Sequence, residues 1–140
     1  MAINTGRVIG GGLAAGLVMN LIDGPVNGVL LAAQWNAETN ALNPGLMAKA
    51  GTGSMVGWII TDFIVGIMLV WVYAAIRPRF GPGPRTAMLA SLATWFVGHA
   101  FFASYTFMGL YSSTLIGLVS LGGLVSALAG GWVGAKLYQE

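Results

Sequence analysis

The stretch TLIGLVSLGGLVSALAGGWVGA, residues 114–135, runs for 22 residues without one charged side chain. A helix rises about 1.5 Å per residue, so a run of this length crosses a hydrocarbon core about 30 Å thick. Three earlier runs have the same character, at residues 8–33, 55–76 and 86–107. Lipid offers the backbone no hydrogen-bond partner, so each run must satisfy its own amides as a helix, and the two-residue alternation of a barrel strand is absent. The expectation is an all-α, polytopic membrane four-helix bundle, with residues 1–140 forming a single transmembrane domain.

Composition points the same way. The chain is 56% hydrophobic and 7% charged, with a mean hydropathy of +0.79, whereas a soluble domain carries about 25% charged residues. There is no cysteine, which removes disulfides, thiolate metal sites and cysteine nucleophiles. Six basic residues scattered over loop ends make no nucleic-acid patch, despite a pI near 9.3. The first run is too long for a signal peptide and contains Asp23, so it is read as a span.

With four spans, both termini and the loop between spans two and three share one side. Arg7, Arg77, Arg79, Arg85 and Lys136 fall there and Lys49 falls opposite, so the positive-inside rule places the termini in the cytoplasm. Trp71, Tyr73, Trp132 and Tyr138 mark the inner boundary. Trp35, Trp58, Tyr105 and Tyr111 mark the outer one. The cytoplasmic connection at residues 77–85 has three prolines and two glycines, read as a stiff non-helical corner. The opposite connection, residues 34–54, is the longest polar stretch and holds the turn signal Asn43-Pro44-Gly45. The third, near residues 108–113, is a tight uncharged turn.

Helices in lipid associate through close packing over small residues. Gly12, Gly16, Gly24 and Gly28 recur along one face of span one with Asn20 in the gap, and Gly122, Ser126, Gly130 and Gly134 do the same on span four. These are the expected helix-packing surfaces, within the bundle or between protomers.

The polar residues are few. Asn20, Asp23 and Asn27 stack on one face of span one. Pro25 deprives the Leu21 carbonyl of its helical partner, so a kink is expected beside Asp23. Span two carries Thr61 and Asp62, and span three carries the single histidine, His99. Counted from the basic anchors, Asp23, Asp62, His99 and Ser120 lie 14 to 16 residues into their spans, an expected common layer in the outer half of the membrane.

Such a layer has a structural reading, as a hydrogen-bonded polar cluster, and three chemical ones. Carboxylates and an imidazole could relay protons or couple an ion to transport. They could hold a divalent metal, although the Glu-x-x-His signature of metal-binding bundles is missing. His99, flanked by Gly98, Trp95, Phe96 and Phe102, could be the axial ligand of a haem or chlorophyll, although nothing in the sequence requires a cofactor. No phosphate loop, nucleophile elbow or zinc helix is present, so no catalytic residue is assigned.

At residues 73–87, YAAIRPRFGPGPRTA, the chain resembles a group of small bacterial four-span membrane proteins without established activity. The early glycine-rich span and the exit LLAAQW at residues 30–35 are similar too. The resemblance implies a bacterial inner-membrane protein and carries over no functional residues. The expected role is a non-catalytic accessory or stabilising subunit of a respiratory or photosynthetic complex, or a homo-oligomer, with lipids and other membrane subunits as partners. The alternative is a small proton- or ion-coupled transporter or channel.

Overall fold

The computed structural model describes residues 3–138, and within them every regular element is helical. The helices are α1 (Thr5–Pro25), α2 (Ala32–Leu42), α3 (Leu46–Phe80), α4 (Pro84–Phe107) and α5 (Ser113–Leu137). Four segments are long and apolar enough to cross a membrane: Thr5–Leu30, Leu46–Phe80, Pro84–Phe107 and Ser113–Leu137. The chain is thus an all-helical, multi-pass bundle.

Pro25 acts as the missing amide requires, but the chain does not simply bend. α1 opens into one π-helical turn, Val26–Leu30, in which the Leu31 amide reaches back five residues to the Val26 carbonyl at 2.9 Å. The next helix corrects a sequence expectation. Residues 34–54 are largely helical rather than loop, because α2 is an amphipathic helix whose Trp35, Glu38 and Thr39 face the bundle end while its other side stays exposed. The turn at Asn43 to Gly45 falls where its residues demand, with Gly45 at φ 79°. α3 then starts at once and breaks at Gly51, whose φ of 52° and ψ of −153° lie outside the helical region.

The corner at residues 77–85 is also shorter than expected. α3 continues through Pro78 to Phe80, leaving residues 81–83 as the link, and Pro84 opens α4. A proline in a first turn loses no helical bond. Thr86 closes the corner by donating to the Gly81 carbonyl at 2.7 Å, and Tyr73 accepts from the Gly83 amide at 3.2 Å.

α1 packs on α3 and α5, α4 packs on α5 and α3, and α3 touches α5 across the middle. The contacts follow the small residues, though only in part as the periodicity implied. A Cβ at Gly16 would lie 2.6 Å from the Phe63 Cα, and one at Gly66 would lie 2.5 Å from the Gly12 carbonyl, so α1 and α3 meet backbone to backbone. Gly130 and Gly134 press on Ala15, Met19 and Gly11 of α1, and Gly122 meets Val26. Gly24 and Gly28 touch nothing within 4 Å. Gly66 was not among the sequence-derived packing residues, because a single glycine forms no repeat.

Candidate functional site

The polar residues of α1 are held by its own geometry and by α3. The Asn20 amide donates to the Gly16 carbonyl one turn back at 2.9 Å and across to the Ile59 carbonyl of α3 at 3.2 Å. Asn27 donates to the Asp23 carbonyl at 3.1 Å and accepts from the Trp35 indole at 3.2 Å, which ties the π turn to α2. Thr61 stays on its own helix, exposed and bonded to the Gly57 carbonyl at 2.9 Å.

Asp23 is the centre of what remains. Its carboxylate accepts from the Ser126 hydroxyl of α5 at 2.7 Å. Ser126 is fully buried and had been read from sequence as a packing residue alone; its four-residue spacing with glycines concealed its polar use. Asp62 of α3 is half-buried. The Cα–Cβ bonds of a helix lean toward its N-terminus. α1 and α3 are antiparallel, so the two side chains lean toward each other.

His99 belongs to a second cluster, on α4 and α5. Its Nδ1 lies 3.1 Å from the Ser120 hydroxyl, and the Trp95 indole donates to the Ser120 carbonyl at 2.9 Å. Its Nε2 sits against Gly123, where a Cβ would collide with the ring. An axial ligand needs a ring nitrogen directed at the metal, with open space for the macrocycle. Both nitrogens instead face α5, so the arrangement does not fit a haem or chlorophyll at His99. Gly98, expected to make room for such a ring, has only open space around it.

Of the expected common layer, His99 and Ser120 are brought together, while Asp23 bonds Ser126 rather than Ser120. Gly12 meets Ile67, Gly16 meets Phe63 and Asn20 bonds Ile59, each step of four along α1 matched by four back along α3. This register puts Asp62 opposite Leu17, six residues or about 9 Å from the level of Asp23. On α5 the Ser126 bonded to Asp23 and the Ser120 bonded to His99 are again six residues apart. Among the described residues no three His, Cys, Asp or Glu side chains come together as a metal site.

A third group closes the end of the bundle opposite the termini. Glu38 accepts from the Ser112 amide at 2.7 Å and from the Ser112 hydroxyl at 2.6 Å, while Gln34 donates to it at 2.9 Å. Ser112 also caps α5 by accepting from the Leu115 amide at 3.1 Å. Slight burial raises the Glu38 pKa, but the hydrogen bonds from Ser112 and Gln34 outweigh it and hold the carboxyl below its ordinary value. Beneath this clamp Trp35 stacks edge-on against Tyr111 and Phe102, with ring centroids 5.2 and 6.4 Å away.

Fold and polar groups together define a multi-pass membrane protein with two carboxylates, Asp23 and Asp62, inside its spanning helices. No protein-family model, curated protein or solved structure matches the chain.

Proposed function

We propose that the protein is a non-catalytic subunit of a larger assembly in a bacterial inner membrane, accessory to a respiratory or photosynthetic complex or assembled from copies of itself, with its termini in the cytoplasm. One observation carries this reading: every residue from 40 to 61 is exposed, including the first part of the membrane-crossing helix α3. Gly53 and Gly57, one helical turn apart, have nothing within 4 Å of where a Cβ would be. A helix that carries a small-residue pair and no neighbour in its own chain is suited to a neighbour from another. Extraction in mild detergent followed by native mass measurement tests the reading. The expected species is a complex or oligomer that Gly53→Leu with Gly57→Leu dissociates; a wild-type chain that is strictly monomeric and partner-free overturns it.

The presence of two carboxylates, Asp23 and the half-buried Asp62, inside the spanning helices favours a second reading, in which they bind and release a proton or monovalent cation during transport. Proteoliposome flux decides between them. A pH-dependent flux abolished by Asp23→Asn and Asp62→Asn supports transport, and a flux that survives both substitutions removes the pair from any such role.

A further inference from the structure

At the end of the bundle that holds the termini, the crease between α1 and α3 opens into an apolar groove of about 310 Å³. Val8, Ile9, Ile67 and Met68 form its floor and walls, with Thr5 and Trp71 also lining it. Val8 is buried in the core with Ile67 packed against it, whereas Ile9, Met68 and Trp71 are exposed, so the groove opens from the edge of the core toward the surrounding lipid.

The rim has a sign. Arg7, Arg77, Arg79, Arg85 and Lys136 belong to this end. The acidic side chains among the described residues, Asp23, Glu38 and Asp62, lie further along the bundle or at its opposite end. Arg79 is exposed and stands eight residues beyond Trp71 on α3, which at 3.6 residues per turn puts it about two turns above the groove and within about 80° of Trp71 in azimuth. Thr5 begins α1, whose first amides carry the positive end of the helix dipole.

We infer that this groove holds one acyl chain of an anionic phospholipid whose phosphate is held by Thr5 and Arg79. The floor is apolar, the rim is cationic, and both lie where a bilayer lipid presents its chain and headgroup in that order. A zwitterionic lipid satisfies the groove equally but gains less at the rim, so the site discriminates by headgroup charge.

Quenching of Trp71 fluorescence tests the assignment on the full chain in nanodiscs, with the Trp71 signal taken as the difference between wild type and Trp71→Phe. The lipid is phosphatidylcholine carrying a minor fraction of chain-brominated phosphatidylglycerol or, in parallel, chain-brominated phosphatidylcholine. The expected result is a preference of roughly fivefold for the anionic lipid at Trp71, lost in Arg79→Gln and kept in Arg85→Gln. Equal quenching by both lipids overturns the site. So does a preference that survives Arg79→Gln, or one that Arg85→Gln reduces as strongly, since that is the attraction of the basic end as a whole. Ile9→Trp, which fills the groove without touching the rim, is expected to lower the quenching of Trp71 by either lipid, and unchanged quenching there also counts against it.

Discussion

At the end of the bundle that carries the termini, a Cβ added to Gly12, Gly66 or Gly131 would run into backbone or a buried side chain. At the other end, one added to Gly24, Gly28, Gly53, Gly57 or Gly98 would meet nothing within 4 Å. The buried residues of α3 and α4 follow the same division, although α5 also buries Leu115, Ile116 and Val119 at the far end. α3 buries Gly66, Leu69, Val70, Tyr73 and Ala74 and nothing earlier, and α4 buries Thr86, Ala87, Ala90 and Ser91 and nothing later. One half is therefore a closely packed bundle in which small residues let backbones touch. In the other half, contacts are made by aromatic rings, a carboxylate clamp and a few polar side chains. The same residue type has opposite meaning in the two halves, because a glycine contributes to helix association only where another helix reaches it.

The largest test of this contrast is a bulky residue in the packed half. Gly66→Leu should destabilise the protein by about 3 kcal/mol or prevent folding, since its Cβ would stand 2.5 Å from the Gly12 carbonyl and 2.6 Å from the Gly16 amide. Thermal denaturation in detergent measures it, and a near-native midpoint would mean the α1–α3 contact is looser than described.

Next in size is the bond at the border of the two halves. A double-mutant cycle on Asp23→Asn and Ser126→Ala should give a coupling of about 1 kcal/mol in favour of the pair, in line with side-chain hydrogen bonds inside membranes. A coupling near zero would leave Asp23 without a structural role and strengthen its use in transport.

The clamp in the open half should respond to pH. Hydrogen bonds hold the folded Glu38 below its unfolded value, so the stabilisation is complete above the unfolded value and is lost as pH falls through the folded one. Acidification should loosen α2 from α5 and shift Trp35 emission, and Glu38→Gln should remove that pH dependence. The effect on overall stability is small, because Glu38 is only partly buried and its clamp lies at the water-facing end of the bundle.

Smallest of all is Gly57→Ala. With open space around the site, it should change the stability of the isolated chain by less than about 0.5 kcal/mol. A large loss would show that a neighbour covers this face even in the purified protein.

Much of this could be read without coordinates. The four apolar runs name the spanning helices to within a few residues, except at α3, which begins at Leu46, breaks at Gly51 and runs on through Pro78 to Phe80. A proline near a helix end is a weak stop, and the reading of residues 77–85 as a non-helical corner gave Pro78 too much weight. The turn at Asn43 to Gly45 and the disturbance at Pro25 were legible because each rests on one residue's backbone chemistry. The helical character of residues 32–42 was hidden by their polarity, which reads as loop unless the weaker face carrying Trp35 and Thr39 is followed.

The polar site was legible as a set of residues and not as an arrangement. Asp23, Asp62 and His99 stand out in any apolar sequence because a charge in lipid is costly. Their grouping depends on how far each helix slides along its neighbours, and that shift is set by where Gly12, Gly16 and Gly66 let the backbones interlock. What the amino-acid sequence determined by itself was the solvent of the protein, the number of its spanning helices and the identity of its polar groups, all of which follow from local composition and the demands of lipid on the backbone. Only the tertiary structure decided that Asp23 bonds Ser126 while His99 turns to Ser120, since axial register and rotation come from contacts between helices distant in the chain.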